Sequence, residues 1–218
     1  HPQIAGVFGR HIAHHGATPC MTRDLQLHFE GLRQFGEVLR LEDGERYTND
    51  PGYRQVLHFY SDNNSCMRKS VWEKIPYPDV NYAEDQIWAK TIIERGLSKG
   101  YAHDAVVRHS HDYGVIETFR RSCDESSALK SLFGYILAQS YQSAAHNAYA
   151  CAKRDFHYTL KADGGGLGAA IKVAACNVAK QAGYLLGARA KTLPGWLLRI
   201  VSLDTRMKYG AFTPMESI

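Results

Sequence analysis

Apolar residues recur at helical spacing between residues 84 and 95, where Ile87, Trp88, Thr91 and Ile92 fall on one face and Gly96 supplies a stop. The run before them, Ile75-Pro76-Tyr77-Pro78-Asp79, is rich in turns, because each proline disfavours helix for the residue that precedes it. The pattern therefore predicts a helix that opens on Glu84 and Asp85. Downstream, residues 99–109 read as a glycine turn at Gly100, a short strand, a second turn and a β-branched strand that ends in His109 and His111. Side chains two apart on a strand point the same way, so both imidazoles are expected to face one cavity.

The rest of the first half alternates in the same manner. Residues 4–10 form a short apolar strand, and His11, His14 and His15 follow in a loop closed by Gly16 and Pro19. Three histidines in five residues are a weak metal signal, because no carboxylate or thiol stands at ligand spacing. Residues 22–35 place Leu25, Phe29, Leu32 and Phe35 along one helical face behind a Thr22 cap. Turns are expected at 42–45 and 49–52, a strand at 55–61, a polar corner at Asp62-Asn63-Asn64-Ser65 and a short helix at 69–74. After Tyr113 the pattern turns helical, with helices expected at 116–123, 126–138, 139–160 and 168–191. Asp163-Gly164-Gly165-Gly166 separates the last two; it has neither the lysine nor the preceding strand of a phosphate loop. A final apolar run, 196–201, precedes Arg206 and Lys208.

Chemistry concentrates in two places. Glu84 and Asp85 stand in a first helical turn, where unpaired N–H groups and the macrodipole favour an ionised carboxylate able to accept a proton. Acids are also ordinary at helix starts, and a lone His-x-His pair is weak by itself. The corner after residue 61 offers Ser61, Asn63 and Asn64 at a strand's C-terminal end, where open α/β sheets bind ligands; an Asx-turn capping the next helix is the plainer reading. Arg68 suits a phosphate oxygen, and Trp72 is either packing or a platform for a sugar ring.

Composition adds limits. The 218 residues allow one full domain or two small ones, and 44% hydrophobic with 11% aromatic residues suits a packed globular protein. Cys20, Cys66, Cys123, Cys151 and Cys176 are odd in number and unpaired in spacing, which fits a reducing compartment. No initiator methionine or signal segment opens the chain, so it reads as starting inside a domain. Residues 1–115 hold 13 Lys+Arg against 15 Asp+Glu, and residues 116–218 hold 13 against 7, or −2 and +6. The basic half calls for an anionic partner. Its apolar runs are too short to span a bilayer, but helix 168–191, with Trp196 nearby, can lie in the headgroup layer of an anionic membrane surface. The same helix is also a candidate for packing on the first domain, or for a seam between two copies in a homo-oligomer. Nucleic acid is not expected, since aromatic and basic residues are not interleaved.

Three segments, Phe59 through Pro76, then Ala83-Glu84-Asp85-Gln86, then Val107-Arg108-His109-Ser110-His111, resemble in order and separation the second half of family-two glycosyltransferases, in particular a bacterial rhamnosyltransferase-like branch. The resemblance implies an α/β fold: residues 1–115 would be the acceptor and metal side of a partial GT-A, Rossmann-like mixed-sheet domain lacking its N-terminal nucleotide-binding half. Residues 116–218 would be a mainly helical, basic and amphipathic C-terminal region. It further implies an inverting transferase that moves a sugar, with rhamnose from dTDP-rhamnose as the branch suggests, from a nucleotide-diphosphate sugar to a glycan or lipid-linked acceptor in bacterial surface polysaccharide synthesis. Asp85 would be the base, assisted by Glu84. His109, 24 residues on, with His111 as second choice, would ligate Mg²⁺ or Mn²⁺. Ser61, Asn63, Asn64, Arg68 and Trp72 would meet substrate. A cytoplasmic protein, peripheral on the cytoplasmic face of the inner membrane, is the implied location. The family's Asp-x-Asp motif is absent from these residues, so this piece alone is expected to be inactive. Two other classes remain from the residues themselves: a metal-dependent hydrolase built on Asp85, His109 and His111, and a non-catalytic membrane or protein docking module built on the basic helices.

Overall fold

The structure is a computed structural model that describes residues 2–80 and 82–203. It is α/β, with a mixed four-stranded open sheet and, among the described residues, a majority of helix. Two compact units divide at His111 and Asp112, the second also taking in Thr18–Cys20. Arg206 and Lys208 lie outside the described residues.

The first unit is built on β1 (Ile4–Ile12), which lies between β4 (Ser98–Arg108), parallel to it, and β3 (Ser65–Met67), antiparallel; β2 (Val38–Leu39) pairs antiparallel with the far side of β4. A parallel pair needs a long crossover. Here it consists of α1 (Pro19–Arg33), α2 (Gly44–Asn49), α3 (Pro51–His58), α4 (Lys69–Trp72) and α5 (Glu84–Glu94). Phe8 of β1, Phe29 of α1, Leu57 of α3, Trp88, Ile92 and Ile93 of α5 and Tyr101 of β4 make one core, all under 4% exposed. The helix expected at 84–95 is α5, and the strand at 4–10 is β1.

Three local expectations change. Residues 55–58 are helix, not strand: Asp50 accepts from the N–H groups of Gly52 and Tyr53, Pro51 takes the first helical position, and Tyr53 and Leu57 are then buried one turn apart. The expected two strands after Lys99 are one, with a bulge: Gly9 pairs with Ala102, but the next residue, Arg10, pairs with Val106. His109 and His111 lie beyond the end of β4, and His11 is a buried residue of β1 rather than a loop residue.

In the second unit the expected break near residue 124 is absent, and α6 runs unbroken from Val115 to Phe133 before Gly134 caps it in the left-handed region. Ser126, a poor helix former, is held there by burial, with its Oγ donating to Tyr184 O at 2.8 Å. Ser140 and Ser143 form a capping box that starts α7 (Tyr141–Lys161). α8 (Leu167–Gly187) packs on both α6 and α7. A Cβ at Gly187 would stand 2.1 Å from Cys123 O, so only glycine permits this approach of α8 to α6. Asn177 donates to Asp155, which also receives Arg154, so the buried carboxylate is satisfied. α9 (Gly195–Val201) follows.

Candidate active site

The head of α5 is set by an unusual backbone. Ala83 adopts φ 58° and ψ 32°, a left-handed conformation that costs a residue with a Cβ on the order of 1 kcal/mol. It delivers Glu84 and Asp85 into the first turn, and both are half-buried. The Asp85 carboxylate accepts from its neighbour Gln86 N–H at 2.7 Å and faces the N–H of Asp62. Burial nevertheless dominates, and with the charges of Asp62 and Glu84 it pushes the Asp85 carboxyl up to about 6. At neutral pH the group is therefore mostly ionised, yet far more basic than an ordinary carboxylate.

The corner before β3 is a 3-10 turn, Asp62–Asn64. Its side chains reach across the ends of the parallel strands. Asn64 Nδ2 donates to Ala105 O in the β4 bulge at 2.9 Å, and Gly9 makes this possible, because a Cβ there would lie 2.3 Å from both groups. Ser61 is buried, with Oγ 3.2 Å from His11 Nε2, so its hydroxyl is engaged inward. His11 packs against Phe29 and His109, with ring centroids 5.1 and 5.2 Å away, and His109 N–H donates to Ile12 O at 2.9 Å. His109 and His111 rings meet edge to face at 4.7 Å. Burial lowers the His109 imidazole, as do His111 and His14, while Asp62 pulls the other way.

Asp62 thus acts on both Asp85 and His109, and it is the link between the two motifs. The polar corner was visible in the sequence, but the assignment of this role to Asp62 was not, because its partners stand 23 and 47 residues further along. Two further buried groups stand near this corner. Lys99, 0% exposed, donates its amine to Val56 O and Phe59 O at the end of α3; burial holds it well below its usual value while Asp85 pulls it up. Tyr77 presents a buried hydroxyl with no hydrogen-bond partner among the described residues, within electrostatic reach of Asp62, Asp85 and Glu84. Neither has a local sequence signal.

Other expected residues sit elsewhere. Arg68 donates its Nε to Ile4 O at 3.0 Å, at the opposite end of β1 from His109, roughly 25 Å away at ~3.3 Å per residue. Trp72, 44% exposed, lies on α4 just beyond it. Asn63 is exposed at the corner. Ser61, Asn63, Asn64 and His109 are brought to one end of the sheet; Arg68 and Trp72 are not. Among the described residues no three His, Cys, Asp or Glu side chains converge as a metal-binding group. Two imidazoles suit a divalent ion only as part of a set, and a metal-dependent hydrolase has the same need.

Two curated proteins are similar to this chain. An O-antigen chain rhamnosyltransferase of Salmonella typhimurium is 30% identical over 128 residues, covering 56% of this chain and 37% of its own length. An O-antigen chain rhamnosyltransferase of Salmonella anatum is 31% identical over 123 residues, covering 56% and 36%. The chain thus matches little more than a third of the length of either relative. No family model and no solved structure matches. The similarity relates the chain to proteins named as glycosyltransferases.

Proposed function

We propose that this chain is the acceptor side of an inverting glycosyltransferase of the GT-A type that acts in polysaccharide synthesis. Its donor would be a nucleotide-diphosphate sugar, with dTDP-rhamnose favoured by the names of the relatives. The observation that carries the reading is Asp85: a half-buried carboxylate at a helix head, raised to about 6, beside a polar corner at the C-terminal ends of two parallel strands. In the reaction, an acceptor hydroxyl attacks the anomeric carbon while Asp85 takes its proton. The bond to the diphosphate breaks on the opposite face, and the diphosphate leaves with the electron pair. General-base assistance of this kind is worth about 10²–10⁴-fold in rate.

Glu84 keeps Asp85 basic through its charge. Asn63 and Asn64 edge the acceptor's approach, and Ser61 holds His11 and, through it, the neighbouring His109 ring. Arg68 and Trp72, at the far end of β1, would touch only a long acceptor. His109, with His111 as the alternative, is the donor this chain offers to Mg²⁺ or Mn²⁺. Such an ion, when bound, would offset charge on the departing diphosphate.

The test is Asp85→Asn in the full-length parent protein, with sugar transfer and donor binding measured separately. Transfer is expected to fall by about 10²–10⁴-fold while donor affinity changes less than about twofold. Undiminished transfer would remove Asp85 from the role of base.

A further inference from the structure

The helical unit shows an apolar surface that its own packing leaves open. On α8, Leu167, Ile171 and Val178 are 62%, 55% and 52% exposed, with Ala182 exposed beside them. At about 100° per residue these four fall within roughly 60° of arc, away from Gly183 and Gly187, which meet α6. Trp196 and Ile200, one turn apart on α9, are 64% and 55% exposed. Between residues 164 and 203 the sequence carries five cations, Lys172, Lys180, Arg189, Lys191 and Arg199, and no Asp or Glu.

We propose that α8 and α9 dock this protein on an anionic lipid surface, apolar side chains entering the acyl boundary and the stems of Lys172 and Lys191, both exposed, carrying their charge to the headgroups. Charge complementarity selects this occupant. A two-fold seam between copies would set Lys172 and Lys191 near their like with no acid between residues 164 and 203 to pair them, and a phosphate backbone would leave the exposed Leu167, Ile171 and Trp196 without a role. No helix among the described residues is long and apolar enough to cross a membrane, so the contact lies in the surface plane. This inference stands independently of sugar transfer.

The test is sedimentation of the full chain with vesicles of phosphatidylglycerol or of phosphatidylcholine, at low and high salt. Partition onto the anionic vesicles is expected to be at least about tenfold stronger and to fall with salt. Paired substitution Ile171→Asp and Val178→Asp, on exposed positions, should weaken it at least about tenfold, whereas Ile116→Asp, on α6 and more exposed still, should not. Lys172→Gln with Lys191→Gln keeps polar surface polar and should cost about fivefold per cation removed. Bromolipid quenching of tryptophan should vanish in Trp196→Phe. Equal partition onto both lipids, retained binding by the Asp pair, or a vesicle-free dimer that the Asp pair dissociates would overturn the proposal.

Discussion

A carboxylate half-withdrawn from water prefers its proton, and the role proposed for Asp85 needs that proton gone. Its carboxyl is raised from 3.8 to about 6, so its contribution to folding is fully present below pH 3.8 and is lost as pH rises through about 6. Asp85→Asn imitates the protonated form and should stabilise the fold at pH 8 by on the order of 2 kcal/mol, while changing little at pH 4; urea midpoints at the two values check it. Under the proposed role, sugar transfer should rise with pH along a limb centred near 6. A flat profile between pH 5 and 7.5 would remove Asp85 as the titrating group. The acid pair itself was legible in the sequence, because a helix start is a local signal. Its dependence on Asp62 was not, since a Coulombic neighbour 23 residues back becomes one only when the chain folds.

Among elements, the best-read helix was α5, whose apolar period and glycine stop agree with its burial. α3 departs from the expected strand because Gln55-Val56-Leu57-His58-Phe59-Tyr60 carries a strand's composition, while the deciding signal, the Asp50-Pro51 cap, lies ahead of it. The break expected at Asp124-Glu125 fails for the mirror-image reason: Asp124 and Ser126, of low helix propensity, stay helical where α8 packs, Tyr184 accepting from Ser126 and donating to Glu125. That packing depends on close backbone approach. Gly187→Ala would press a methyl into the Cys123 carbonyl and should cost about 1–3 kcal/mol, read as a drop of several degrees in Tm. An unchanged Tm would mean that α6 and α8 can separate at no cost.

Over the whole molecule, buried imidazoles set the acid limit. His58 is 2% exposed and lowered to about 3, first by burial and then by Lys90, Lys99 and Arg54; His11 is lowered to about 4, first by burial. For such groups stability is present above pH 6.5 and is lost as pH falls toward the folded value. At pH 5 each would withdraw about 2 kcal/mol against a gain of about 1 kcal/mol from Asp85, so the histidines win. The urea midpoint should therefore drop between pH 7 and pH 5, and His58→Gln, which keeps a polar partner for Tyr47, should shallow that slope. A midpoint that held or rose on acidification would contradict the burial of these rings.

What the sequence determined by itself was local or compositional: the α5 helix and its leading acids, the apolar first strand, a polar corner, and a basic second half rich in helix. Periodicity, caps and charge are properties of neighbours along the chain, so they can be read there. The tertiary structure alone decided that β1 lies at the sheet's centre, that Gly9 admits Asn64 to the β4 bulge, and that Asp62 acts on both Asp85 and His109. It also separated Arg68 and Trp72 from the corner and turned Ser61 toward His11. Those outcomes rest on strand order, register and desolvation, which arise only when segments distant in sequence share the same space.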